Sequence, residues 1–367
     1  MTVTREDTAA HDALPVPESA GPVGGRGRLT SALTLVGPLV VVYLAVLIVS
    51  TSSTSIQVQA SYALANLVIV VGLQLFVGNS GVLSFGHIAF VAVGAWTMGL
   101  LSIGTTLKRA VLPGLFPFLA DASAPPMVAL ALAGVVGGAL AFLVAPFLMR
   151  LSGLQAGIAT FALLGVVTQV LSYWSKIAPP SGQSMVGVPD TLSLQGLLLL
   201  ALGAIVVSSL YRGTRTARLL RASRENAVAA PGSGINITAH RVVAFGVSGV
   251  ICGVGGAMWA ETNAVVQASQ LSTGFTFTVI AMLVLGGTLS LWGAVVGTLA
   301  YSVIDAVLQR MQAGLAIGQY EVTIPEGSRP VILGAVLVLM LLFRPDGITR
   351  GREFGIPTFR RRGTSTT

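Results

Sequence analysis

Nine apolar stretches, at about 32–50, 60–77, 82–101, 127–149, 154–174, 196–211, 240–260, 275–310 and 330–343, dominate this chain of 367 residues. Several run past the roughly 18 residues a helix needs to cross a bilayer, where every backbone polar group must be satisfied from within the protein. Helices meet that demand segment by segment. The sequence therefore predicts an all-α polytopic membrane protein with about nine to ten membrane-spanning or re-entrant helices. Residues 1–30 are rich in Ala, Pro and Gly, with Glu6, Asp7, Asp12 and Glu18 among them, and read as a disordered cytoplasmic tail, not as a secretory signal. Residues 31–348 make the transmembrane domain, interrupted by a cytoplasmic loop at 213–239, and residues 349–367 a basic cytoplasmic tail.

Charge orients the bundle. With the N-terminus inside and six crossings before Arg212, 16 of the 21 Lys and Arg residues fall inside and 5 outside (Lys108, Arg109, Lys176, Arg310 and Arg329). The segment at 275–310 must return to its starting side, since a single crossing there would place the arginine-rich tail outside. Because the +8 net charge flanks apolar segments, it speaks for contact with membrane lipids and against nucleic acid. Cys252 stands alone in an apolar stretch, and His11, His87 and His240 are too scattered for a metal constellation. No paired carboxylates or nucleophile with its base occur in the apolar stretches, which leaves a membrane enzyme without support. No phosphate-binding glycine loop is present either, so any ATP and Mg would be bound by another subunit.

Two glycine-interrupted segments lie in opposite halves. "VGNSGVLSFGHIAF" (77–90) and "VLGGTLSLWGAVVGT" (284–298), aligned on Gly81 and Gly287, share Gly, Leu and Ser in order. Repeated transporters break helices in this way near the midplane to expose backbone groups, so an internal repeat is expected, although glycine is common in membrane helices. His87 is the one ionisable side chain in the first break. It reads either as a functional intramembrane group or as a neutral imidazole that fixes the break, and the surrounding glycines favour the second. Asp305 and Glu261 lie near segment ends and make no proton relay by themselves.

The interruption at 213–241 is different in kind. Arg218, Arg221 and Arg224 are spaced by three, on one face of a helix, and Ala229 with Ala230 can offer a flat surface to another protein. This stretch, "RLLRASRENAVAAPGSGINITAHRVVAF", resembles the coupling segment of LivM-type permeases of branched-chain amino acid ABC importers. "GVLSFGHIAFVAVGAW", "LVLGGTLSLWGAVVGT" and "LFRPDGI" resemble three further segments of that family, in the same order, over about 60–348.

The resemblance implies the permease subunit of an importer in the bacterial inner membrane, with both termini cytoplasmic. Its implied partners are a second, LivH-like permease, two ATP-binding cassette ATPases that carry ATP and Mg, and an extracytoplasmic solute-binding protein. It assigns ATPase coupling to Arg218, Arg221, Arg224, Glu225, Ala229, Ala230 and Gly234. The translocation path of such a permease is expected at Asn79, Ser84, His87, Gln155, Thr160, Gly286, Gly287 and Ser290. The rival reading is a stand-alone channel or facilitator with no ATPase partner.

Departures from the family pattern cluster away from the coupling stretch. Pro231 and Gly232 stand where the family has helix-compatible residues, so the helix must end or bend there. Gln155 and Ala156 replace a Tyr-Phe pair, and "PPSGQSMVGVP" (179–189) is a shortened outer loop. The solute thus stays open between a branched-chain amino acid, urea or a short amide, and aromatic or other organic acids. Gln155 reads either as a polar contact in a narrow path or as a bond between helices.

Overall fold

The computed structural model describes residues 26–180, 184–317, 320–322, 325, 327–344, 346–351 and 353. Among them are fourteen helices, which run in chain order as α1 (Arg26–Ser50), α2 (Thr54–Ser80), α3 (His87–Ser102), α4 (Thr105–Val111), α5 (Pro117–Ala120), α6 (Pro126–Leu148), α7 (Gly153–Tyr173), α8 (Leu194–Arg212), α9 (Arg215–Glu225), α10 (Ala229–Gly232), α11 (Ile237–Asn263), α12 (Thr273–Gly286), α13 (Leu291–Gln312) and α14 (Ser328–Phe343). Two small antiparallel pairs accompany them: β1 (Met185–Val186) with β2 (Val265–Val266), and β3 (Leu315–Ile317) with β4 (Tyr320–Val322).

Each expected apolar stretch is helical, and 275–310 is two helices. The count of nine to ten membrane-spanning or re-entrant helices is not confirmed, however. Among the described residues six helices, α2, α6, α7, α8, α11 and α13, are long and apolar enough to cross a membrane, while residues 34–50 of α1 and helices α3, α12 and α14 are apolar but shorter. The glycine breaks account for two of these. They stop α3 at 16 residues and α12 at 14, about 24 and 21 Å at 1.5 Å per residue, short of the ~30 Å hydrocarbon layer. α1 starts at Arg26, inside the stretch expected as N-terminal tail. Residues 1–25 and nearly all of the expected C-terminal tail beyond 353 lie outside the described residues.

Two buried helices, α2 and α11, form the centre. α11 packs on α6, α3 and α2 through small residues, because hydrocarbon solvates apolar side chains as well as a neighbouring helix does and only close backbone approach gains dispersion contact. The fit is tight enough that a side chain would not enter. A Cβ on Gly94 would stand 2.1 Å from the Gly253 carbonyl oxygen, one on Gly253 2.5 Å from that of Ala133, and one on Gly256 2.0 Å from that of Val91. Outward faces carry exposed Val135, Leu143 and Phe147 on α6 and Leu154, Ile158 and Val166 on α7, as lipid-facing surfaces do.

Polar contacts close the ends of the bundle. At the end opposite α9, Trp96 donates to the Ile177 carbonyl at 2.8 Å. Lys108 donates to the carbonyl of Ala122 at 2.5 Å, and its burial pushes its pKa down. The buried Glu261 accepts from Thr191 N and Leu192 N, each at 2.8 Å, and so ties the loop before α8 to the end of α11.

Candidate functional site

α9 begins with Thr214 accepting from Ala217 N at 3.2 Å, an ordinary N-cap. Its Ala217, Leu220 and Ser223 are buried, a three-residue repeat that lays one face of the helix on the bundle. Two of the three arginines expected to meet a partner follow that face inward. Arg221 donates to Asn79 Oδ1 at 2.7 Å and to the Arg212 carbonyl at 3.0 Å; Arg224 donates to the Gly78 carbonyl at 2.7 Å. These acceptors sit at the C-terminal ends of α2 and α8, where a helix leaves its last carbonyls unpaired and its dipole favours cations. Burial, then the neighbouring Arg212, Arg224 and Arg218, press the Arg221 pKa down from its usual value, and Arg221 remains a cation at any ordinary pH.

Arg218 stays exposed and reaches only the Gly213 carbonyl, at 3.0 Å. Glu225 is exposed and paired with Arg224 at 2.9 Å. Asn226 then ends α9, and its Oδ1 accepts from Val228 N and Ala229 N at 3.2 and 3.0 Å, which turns the chain into α10. Pro231 falls within the first turn of α10, where a missing N–H breaks no helical bond, and the helix ends at Gly232. Gly234 follows with φ +75°, a left-handed conformation that favours glycine. The expected flat pair is split: Ala229 is exposed, but Ala230 turns into its own chain at 6% exposure. Val228, which sequence reasoning passed over, stands 91% exposed beside Ala229. An apolar residue so free on a polar loop is visible only once the turn is built.

Beneath α9 lies the first break. Gly81 ends α2 with φ +69°, and the stem of Arg224 lies over it: a Cβ there would stand 2.6 Å from Arg224 Cγ. The chain then runs without helix to Gly86, held by Phe85 N donating to Thr160 Oγ1 at 3.2 Å. His87 opens α3, with Nδ1 2.8 Å from Ser84 Oγ and Nε2 2.9 Å from Ser248 Oγ. Ser248 spends its own proton on the Phe245 carbonyl, 2.8 Å away, so it accepts from Nε2–H and Nδ1 accepts from Ser84. Both nitrogens are satisfied in the neutral ring. Phe76, Phe90 and Phe245 surround it with centroids 5.4, 5.8 and 5.2 Å away. Ser248 is eleven residues into α11, about 16 Å from its start, so His87 is well inside the bundle.

The second break joins the first. A Cβ on Gly78 would lie 3.0 Å from the Thr288 carbonyl. Gly287 ends α12 at φ +118°, and Ser290 caps α13 by accepting from Gly293 N at 2.9 Å. Gly286 approaches α13 so closely that a Cβ would stand 1.8 Å from the Gly293 carbonyl oxygen. Residues 346–351 and Glu353 cover this break. Ile348 N donates to the Leu285 carbonyl at 2.9 Å and Thr349 N to that of Gly286 at 3.1 Å, while Ser290 Oγ and Thr349 Oγ1 are 3.2 Å apart. Glu353 accepts from Leu291 N at 2.9 Å at the start of α13 and pairs with Arg212 at the end of α8. The tail contact has a signal in the sequence: Gly347, from the "LFRPDGI" segment, would place a Cβ 2.6 Å from Gly287 N.

Asn79, Ser84, His87 and Thr160 are therefore gathered in one cluster below α9, with Gly286, Gly287 and Ser290 in the adjoining break. Gln155 is not gathered with them; it is exposed in the first turn of α7.

Residues 56–341 match the family described as branched-chain amino acid transport system / permease component. The chain is 26% identical over 323 residues to the high-affinity branched-chain amino acid transport system permease protein LivM of Salmonella typhimurium, covering 79% of this chain and 68% of that protein. To LivM of Escherichia coli K12 it is 25% identical over the same shares. To the autoinducer 2 import system permease protein LsrC of Escherichia coli it is 28% identical over 213 residues, 54% of this chain and 57% of that one. No solved structure matches.

Proposed function

The chain belongs to the branched-chain amino acid transport permease family, and on that premise we propose that it is the membrane-spanning subunit of an ATP-binding cassette importer for a small polar or amphipathic solute. The observation that carries this reading is the seat of α9: Arg221 and Arg224 bond to Asn79 and Gly78, two and three residues before the Gly81 break. A push on the loop is thereby delivered to the end of α2 and to the wall around His87. The residues left exposed are Arg215, Arg218, Glu225, Val228 and Ala229, and these meet the ATPase.

In the assembled importer, a LivH-like permease completes the path, two ATPases bind ATP and Mg, and an extracytoplasmic binding protein delivers the solute. The arginine-rich end, with α9 and Arg212, faces the cytoplasm of a bacterial inner membrane, with both termini on that side. Nucleotide-driven closure of the ATPases then biases the bundle between its two arrangements.

A pull-down of the solubilised chain with its co-expressed ATPase tests this, using Val228→Asp and Ala229→Glu as docking variants. Capture by wild type and its loss in both variants, with unchanged thermal unfolding, is the expected result. Failure of wild type to hold an ATPase where a control permease does so would favour the facilitator.

A further inference from the structure

The second glycine break is closed by a segment that belongs neither to α12 nor to α13. A break leaves the last carbonyls of one helix and the first N–H groups of the next without partners in their own helices, and away from water they must find others. The chain beyond α14 supplies them. Ile348 N donates to the Leu285 carbonyl at 2.9 Å, and Thr349 gives both its N–H and its Oγ1–H to that of Gly286, at 3.1 and 2.8 Å. On the α13 side, Glu353 Oε1 accepts from Leu291 N at 2.9 Å and Oε2 from Trp292 N at 3.4 Å. A carboxylate suits that place, because the start of a helix favours negative charge.

Capping α13 would need nothing more. Yet Glu353 Oε1 also pairs with Arg212, the last residue of α8, and both side chains are less than a quarter exposed. A pair so shielded from water binds more firmly than the hydrated surface kind. α8 and α13 otherwise touch little, so the carboxylate joins two helices that their own packing does not. Arg212 in turn belongs to the corner that carries α9. Only Gly213 and Thr214 separate it from that helix. Arg221 Nη2 donates to the Arg212 carbonyl and Arg218 Nη1 to that of Gly213, each at 3.0 Å, which braces the corner from the α9 side. A continuous line results, from α9 through the Arg212 corner and the Glu353 carboxylate to the first turn of α13. It is separate from the bonds by which Arg221 and Arg224 hold Asn79 and Gly78 at the end of α2.

We propose that Glu353 is a positioning residue of the transport cycle, forming with Arg212 a second arm from α9 to the second break, so that one docked helix grips both breaks at once; the assignment rests on the permease reading above. Without this arm, a displacement of α9 reaches the first break through α2, and the second only through the close approach of Gly78 to the Thr288 carbonyl. With it, the start of α13 is drawn along by a charged bond. The two breaks then respond to the ATPase together.

The test is hydrogen exchange of the assembled importer in nanodiscs, this chain with its partner permease and ATPases, before and after trapping with ATP and vanadate. Wild type is expected to change its exchange on trapping at both 77–86 and 287–293. Two variants cut the arm from opposite sides. Arg212→Gln removes the cation and leaves the Glu353 carboxylate on α13, whereas Glu353→Gln keeps an acceptor for Leu291 N and removes the charge. In both, the change at 287–293 should shrink about tenfold, the size of a lost charged hydrogen bond, while that at 77–86 persists. A carboxylate that only capped α13 would leave the response of Arg212→Gln as in wild type. A wild-type response in either variant, a wild type with no change at 287–293, or an equal loss at both breaks in Arg212→Gln overturns the proposal. ATPase capture is measured on the same samples: if wild type holds the ATPase while any of these results is found, only the second arm is refuted, and if it does not, the permease reading itself falls.

Discussion

The bond from Arg221 to Asn79 is the most direct measure of whether α9 is fastened to α2 or merely lies against it. Arg221→Met keeps the aliphatic stem and removes two charge-assisted bonds, to Asn79 Oδ1 and the Arg212 carbonyl. Such bonds are worth about 1.5–3 kcal/mol each when fully realised. Arg221 is only half-buried and is repelled by Arg212, Arg218 and Arg224, so the low end applies, giving a net loss of about 2 kcal/mol. Asn79→Ala removes the acceptor from a site that is 1% exposed, and also the bond to the Leu75 carbonyl, for a similar loss. If the two residues act on each other, the double variant is less destabilised than the sum by about 1 kcal/mol. In thermal unfolding of the four proteins in nanodiscs, this appears as a double variant melting about 2 °C or more above the additive expectation. Because arginine stays charged, the non-additivity should be the same at about pH 6 and pH 9. Strict additivity, within about 0.3–0.5 kcal/mol, would refute a fastened α9 and with it the proposed route from loop to break.

Three other outcomes can be checked on the same preparations. His87→Leu leaves Ser84 and Ser248 without the imidazole and should cost about 2–3 kcal/mol, whereas His87→Gln, which can both donate and accept, recovers part of it; equal melting of the two would show the serines find water instead. Glu353→Ala removes the carboxylate from the first turn of α13 and from Arg212, for about 1–2 kcal/mol, and should raise hydrogen exchange at 287–293; unchanged exchange there would mean the tail segment does not hold the break. Gly253→Val puts a side chain where even a Cβ stands 2.5 Å from the Ala133 carbonyl oxygen, so a loss above about 4 kcal/mol and poor folded yield are expected; a stable product would show that α6 can retreat.

The helices were legible because hydrocarbon allows little else: each apolar run became a helix, and the 275–310 segment divided at its glycines. What the sequence could not show is direction. Arg218, Arg221 and Arg224 share a spacing, yet Arg221 and Arg224 turn to Asn79 and the Gly78 carbonyl on α2, more than 140 residues away, and of the three Arg218 faces out. The same holds for Ala229 and Ala230, one residue apart on a turn set by Asn226. Glycine was read well as a breaker at 81 and 287 but poorly as a contact surface. Nothing in the residues 94, 137, 249 and 253 announces that they meet one another. The Asp305–Arg329 ion pair between α13 and α14 was not legible because each residue alone resembles a segment-end charge.

The glycine seam along α11 also has a kinematic meaning. An interface of long side chains can slide, since rotamers rearrange as the backbones shift by an ångström or two. One built from backbone against backbone, as between Gly94, Gly253 and Ala133, has no such slack: any shear brings carbonyls into collision. The trio of α3, α6 and α11 therefore moves as one piece. Relative motion is left to the joints that are made of side chains and non-helical chain, the 81–86 and 287–290 linkers and the α13–α14 contact. What the packing leaves open is a displacement of α12 to α14 against a solid block, with α2 lying between them.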